Sequence, residues 1–110
     1  MADFVELTLE KGATFSSQIT VKDDQGIEQD LTGYTARSQM RKSYYANSKF
    51  DFTVTVTAPA IGLITMGMTA ANTSNLSPGR YVYDVEIENN SGDITRIFEG
   101  IVTVLPNVTR

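Results

Sequence analysis

From Tyr81 to Ile87 the odd positions carry Tyr81, Tyr83, Val85 and Ile87, while Arg80, Val82, Asp84, Glu86 and Glu88 fill the even ones. Alternate side chains reach opposite faces when the chain is extended, so this stretch reads as a strand with one dry face and one wet face. Pro78-Gly79 sets a turn before it, and Asn89-Asn90-Ser91-Gly92-Asp93 sets another after it. A second run, Ile94 to Val104, then returns, and the C-terminal third reads as a long β-hairpin.

The same alternation recurs from the N-terminus onward. Val5, Leu7 and Leu9 alternate with Glu6, Thr8 and Glu10, and Lys11-Gly12 breaks the run. Phe15, Ile19 and Val21 share a face on which Ser17 is the weak member. Asp23-Asp24-Gln25-Gly26 predicts a hairpin turn, with Gly26 free to take positive φ. Ile27 to Leu31 then reads as a short returning strand closed by Thr32-Gly33. Beyond Tyr34, the residues Ala36, Ser38 and Met40 face one way and Arg37, Gln39 and Arg41 the other, giving a small-residue inner face and a basic outer one. Lys42 to Lys49 is a polar loop with two tyrosines. Phe50, Phe52, Val54 and Val56 alternate with Asp51, Thr53, Thr55 and Thr57 up to Pro59, and the β-branched residues suit a pleated surface. Ile64, Met66 and Met68 form the next dry face, and Ala70 to Leu76 predicts one helical or 3₁₀ turn crossing between sheets. In the last strand Ile94, Phe98, Val102 and Val104 fall on one parity. Arg96 breaks that parity, and Gly100 lies on the same face as a bulge or a place for a large neighbour. Pro106 ends the strand.

Seven to eight strands at near-regular spacing, with no long helix, define an all-β chain. The expected architecture is an immunoglobulin-like antiparallel β-sandwich with Greek-key connections, forming one domain over residues 1–110. Tyr81 opens its strand after a Leu-Ser-Pro-Gly corner, where a tyrosine in such sandwiches hydrogen-bonds back across the corner; the plainer alternative is a core aromatic. There is no Cys–Trp–Cys core, so the fold would be a variant of that family.

Composition narrows the chemistry. The 110 residues contain neither cysteine nor histidine, which removes thiolate chemistry, Cys-based zinc sites, the commonest general base and the commonest transition-metal ligand. A formal net charge of −4 disfavours nucleic acid and anionic membrane as partners. No apolar run is long enough to span a bilayer, and Met-Ala-Asp-Phe-Val-Glu lacks the character of a signal peptide, so synthesis and folding in a cytoplasm are expected.

Several motifs fit bland readings better than chemical ones. Asp23 to Asp30 is acidic, yet it lacks the register and flanking helices of a calcium loop and reads as a solvated turn. Asp84, Glu86 and Glu88 line the wet face of one strand, read here as convex and solubilising rather than as the paired carboxylates of a sugar-cleaving cleft. Four Asn-x-Ser/Thr matches begin at Asn72, Asn75, Asn89 and Asn107 and carry little weight in a Thr-rich chain. Arg41-Lys42-Ser43-Tyr44-Tyr45 mixes basic and aromatic residues as single-strand nucleic-acid binders do, but in an acidic protein it is a better protein-docking patch. Arg37, Gln39, Arg41, Tyr44 and Tyr45 are therefore the expected partner-binding residues, and no catalytic, cofactor-binding or metal-binding residue is expected.

Three blocks stand together: Asp30-Leu31-Thr32-Gly33-Tyr34-Thr35-Ala36-Arg37-Ser38-Gln39-Met40-Arg41-Lys42, Pro78-Gly79-Arg80-Tyr81-Val82-Tyr83-Asp84-Val85, and Gly100-Ile101-Val102-Thr103-Val104 with Val108-Thr109-Arg110. In these the chain resembles the small virion structural proteins of tailed bacteriophages, especially those of contractile-tailed marine cyanophages. It is also similar to the immunoglobulin-like N-terminal domain of phage baseplate upper proteins. The resemblance implies a non-enzymatic virion protein docking in many copies on the tail, baseplate or neck, with other virion proteins as partners and neither cofactor nor small-molecule substrate. Capsid decoration is one alternative. A carbohydrate-binding sandwich contacting host glycans is another, and with no Trp it would rely on Tyr44 and Tyr45. A small hydrolase fits poorly, since His, Cys and a Gly-x-Ser-x-Gly elbow are all missing.

Overall fold

The computed structural model describes residues 3–22 and 25–108. Its strands are β1 (Asp3–Phe4), β2 (Leu7–Glu10), β3 (Phe15–Thr20), β4 (Thr35–Arg41), β5 (Phe50–Ala58), β6 (Leu63–Met68), β7 (Gly79–Glu88) and β8 (Ile94–Leu105). Prolines set two of the ends: Pro59, with no N–H to offer a ladder, turns β5 into a 3₁₀ turn at Pro59–Ile61, and Pro106 follows β8. The single helical turn expected after β6 is α1 (Ala70–Thr73), capped by the Thr69 hydroxyl, which accepts from the Asn72 N–H at 3.3 Å.

The strands form an all-β, immunoglobulin-like sandwich. One sheet runs β1/β2–β8–β7–β4–β5 and the other β5–β6–β3. The strand β5 serves both, pairing with β4 through Phe50–Phe52 and with β6 through Thr53–Ala58. Side-by-side pairing of β4 with β7 and of β3 with β6, none consecutive in sequence, is the crossing pattern of that family. Two pairings depart from the antiparallel rule: β1 and β2 each lie parallel to β8.

The predicted inner faces meet in the core. Met40, Ile64, Met66, Val85 and Val102 are fully buried, each contributing about 1.5–3 kcal/mol of transfer free energy before entropy is charged against it. An aromatic line crosses the interior. The Phe15 and Phe52 rings are 5.9 Å apart, and the Phe52 and Tyr83 rings 6.3 Å apart. The corner at Tyr81 also forms: its hydroxyl donates to the Ser77 carbonyl at 2.8 Å and accepts from the Ser77 N–H at 3.1 Å.

Two expectations need correction. No strand forms over Ile27 to Leu31, where a lone bridge joins Lys22 to Glu28. Leu31 is drawn fully into the core and its N–H donates to the Pro59 carbonyl, which pulls the segment off any ladder beside β3. Of the turn predicted there, Asp23 and Asp24 lie outside the described residues, and Gly26 does take positive φ, at 79°. The second correction concerns Ile94, which is 54% exposed rather than inward. Val85 pairs with Phe98 while Glu86 pairs with Arg96, so Ile97 is an extra residue and the parity of β8 reverses there.

Candidate functional site

The outward faces of β4, β7 and β8 form an array fixed by strand register. One cross-strand row is Arg37, Glu86 and Arg96. The next is Gln39, Asp84 and Glu99, extended onto β5 by Asp51. A third begins with Arg41 and Val82. On the inner side, the buried Ser38 hydroxyl donates to the Asp84 carbonyl and holds β4 against β7 beneath these rows. Instead of a convex wet face, the array lines an open depression of about 370 Å³, with Tyr44 on its rim. The reading of Asp84 and Glu86 as charges on a convex face is thereby corrected.

Most of the charges in the depression are already engaged with one another. The Arg37 guanidinium donates from Nε to Glu86 at 3.2 Å and from Nη1 to Glu88 at 3.0 Å. Those bonds from Glu88 and Glu86 hold its pKa above the ordinary arginine value. Arg96 lies 3.4 Å from an Asp84 carboxylate oxygen and 3.7 Å from one of Glu99. Asp84 and Glu99 are directly opposed like charges, an arrangement that is unfavourable across a sheet, and Arg96 bridges them. Burial pushes the Asp84 carboxyl above its ordinary pKa, and Glu86 and Glu99 push in the same direction against Arg96 and Arg41. Gln39 differs from its neighbours. It is half-buried at the centre of the array, and its side-chain amide has no hydrogen-bond partner among the described residues.

The five predicted partner-binding residues do not act alike. Arg37, Gln39, Arg41 and Tyr44 line the depression together, and Tyr45 does not. Arg41 is a loop clamp as well as a surface charge: its Nη1 donates to the Ala46 carbonyl at 2.6 Å. That bond steadies the loop after β4, where Tyr44 is 72% and Tyr45 96% exposed. Sequence reasoning missed Arg96 and Glu99: Glu99 faces outward on the expected parity, and Arg96 joins it because the extra residue at Ile97 reverses the parity of the preceding part of β8. The signal was present in Arg96, the one residue that broke the parity of its strand.

No protein-family model matches this sequence, and no curated protein matches it. Solved structures do share its shape. The SrpA adhesin of Streptococcus sanguinis aligns over 97% of this chain and 56% of its own, at 7% identity and a TM-score of 0.53. An internalin-like protein of Listeria monocytogenes aligns over 94% of this chain and 28% of its own, at 16% identity and a TM-score of 0.48. A family 123 glycoside hydrolase of Clostridium perfringens aligns over 98% of this chain and 24% of its own, at 11% identity and a TM-score of 0.42. The chain thus spans 24–56% of the length of these three structures. At 7% identity the adhesin speaks to the fold alone.

Proposed function

We propose that this domain is a non-enzymatic docking module of a tailed-phage particle, carried in multiple copies on the tail, baseplate or neck. The observation that carries the docking reading is the loop after β4. It displays two neighbouring tyrosines, one of them 96% exposed, on a backbone clamped to the sheet by Arg41. Tyrosine offers large contact area with few rotatable bonds, so immobilising it against a partner costs little entropy. The resemblance of the Leu31-Thr32-Gly33 and Gly79-Arg80-Tyr81 blocks to small virion proteins supplies the setting. A domain of this size offers a modest contact area, so retention on a particle would draw on symmetry and several contacts per copy. Capsid decoration is the same reading at another place on the particle.

The test is competition during assembly. The double variant Tyr44→Ala/Tyr45→Ala leaves the core untouched and is expected to be a folded, soluble protein. Mixed with the unaltered protein during particle assembly, it is expected to be depleted from purified particles. Adding Arg37→Ala and Arg41→Ala is expected to deepen the depletion. Incorporation of both variants at the unaltered level would place the docking surface elsewhere, on an edge strand or near Pro106.

A further inference from the structure

We infer that the depression between β4, β7 and β8 is a binding site for a neutral sugar ring. The inference does not rest on the docking reading: it shares Arg37, Arg41 and Tyr44 with that surface, but it is argued from the depression rather than from the exposed loop and would hold for a domain outside any particle.

Size and form come first. A volume of about 370 Å³ lies at the small end of the roughly 300–1,000 Å³ found for ligand clefts. Its floor is three hydrogen-bonded strands, so the lining groups are held at fixed spacing, unlike those on a loop surface. The bulge at Ile97 swings Arg96 over the Asp84–Glu99 pair, and bulges commonly re-aim side chains in this way beside functional sites.

Charge then selects the class of ligand. Three guanidinium groups, Arg37, Arg41 and Arg96, stand against three carboxylates, Asp84, Glu86 and Glu99, so the lining sums to zero. A charged ligand meets a lining with no net charge to attract it, and beyond Arg41, whose Nη1 is engaged with the Ala46 carbonyl, it has to compete with the pairs Arg37–Glu86 and Arg96–Asp84. Hydroxyl groups need no such competition. They donate to the spare lone pairs of Asp84 and Glu99 and accept from the spare N–H groups of Arg96. Gln39 fits the same ligand: its amide offers both donor and acceptor at the centre of the site and is satisfied by nothing within the described chain. Tyr44 supplies an apolar face at the rim, where the C–H side of a ring can rest.

The experiment is an amide chemical-shift titration of the intact protein with five probes at millimolar concentration: methyl α-glucoside, methyl α-galactoside, N-acetylglucosamine and, as charged comparisons, glutamate and lysine. At least one neutral sugar is expected to give saturable shifts confined to β4, β7, β8 and the Tyr44 loop, and the charged probes are expected to bind more weakly. Tyr44→Ala is expected to weaken that sugar about tenfold, the worth of one aromatic contact. Gln39→Ala, a solvent-side change that leaves the core intact, is expected to weaken it at least as much. The inference is overturned by the absence of saturable shifts with every sugar, by shifts centred elsewhere, by tighter binding of the charged probes, or by sugar binding that both variants leave unchanged.

Discussion

The hydroxyl of Tyr83 donates a 2.7 Å hydrogen bond to the carbonyl of Val5, across 78 residues of chain. Its cross-strand neighbour on β8 is Gly100, and a Cβ there would run into the Val5 carbonyl. The two facts are one arrangement. Between β1 and β2 the Val5 carbonyl turns out of the parallel ladder into the space that Gly100 leaves open, and Tyr83 satisfies it there. The first strand of the chain is thus fastened to the last hairpin by a side chain as well as by backbone pairing, with the Val5 N–H donating to Glu99.

Tyr83→Phe removes that bond and leaves the ring in place. The expected cost is about 1–2 kcal/mol, because a part-buried carbonyl loses the hydroxyl that donates to it. Alkali gives a second readout. Burial pushes the Tyr83 hydroxyl up to about 12, while the unfolded chain ionises near 10. Between those values the unfolded state has lost a proton that the folded state keeps, so stability falls as pH rises, by ~2–3 kcal/mol in all. Urea unfolding at pH 9 and 11 is expected to show about half of this fall in the unaltered protein and a smaller change in the Phe variant. Equal falls in both would assign the alkaline instability to other groups.

Gly100→Ala is expected to be worse than its size suggests. The added methyl meets backbone rather than a yielding side chain, so either β2 shifts away or β8 does. Overpacking of this kind costs about 1–3 kcal/mol. Hydrogen exchange separates the two relaxations: amides of Leu7–Glu10 are expected to lose protection, while those of β7 and its partners on β4 keep it. Loss spread evenly over all strands would mean that β8, not β2, gives way.

These residues also mark what the sequence makes legible. Alternation at Tyr81–Ile87, Ala36–Met40 and Phe50–Val56 located the inner faces, because a strand half in water has to segregate its side chains. The corner at Tyr81 could be anticipated from Leu-Ser-Pro-Gly, since the bond closes over four residues. What lay hidden was non-local. Nothing near Val5 says that its strand pairs parallel to β8, and nothing near Leu31 says that the Pro59 carbonyl will hold it. The depression was hidden for the same reason, because it depends on rows that combine three strands and on one extra residue at Ile97.

Tyr81→Phe tests the local closure. The hydroxyl both donates to and accepts from Ser77, and its loss is expected to cost about 1–2 kcal/mol with the fold retained. Tyr83→Ala, by contrast, opens a core cavity beside Phe52 and is expected to cost about 3–5 kcal/mol. Denaturant midpoints at constant slope give both numbers. If Tyr81→Phe costs nothing measurable, the corner bond is no better than the hydration that replaces it.

Asp84→Asn bears on why an opposed carboxylate pair persists at the centre of the sheet. Asp84 faces Glu86 on its own strand, Glu99 and Arg96 on β8, and Gln39 and Arg41 on β4. Its raised pKa means that burial and the two glutamates outweigh the guanidinium groups, so the ionised form is less favoured in the folded protein than in the unfolded chain. For a carboxyl raised in this way, the contribution to stability is full below the unfolded value and is lost as pH climbs through the folded one. The Asn variant is therefore expected to melt higher than the unaltered protein at neutral pH, with the difference closing as the medium is acidified below the ordinary carboxylate range. Asn still offers an oxygen to Arg96, so packing and one bond survive. A variant less stable at neutral pH would show that the Arg96 contact dominates. If the variant is more stable and yet binds the sugar probes less well, then the charge at position 84 is retained against stability for what it binds, the exchange expected of a functional site.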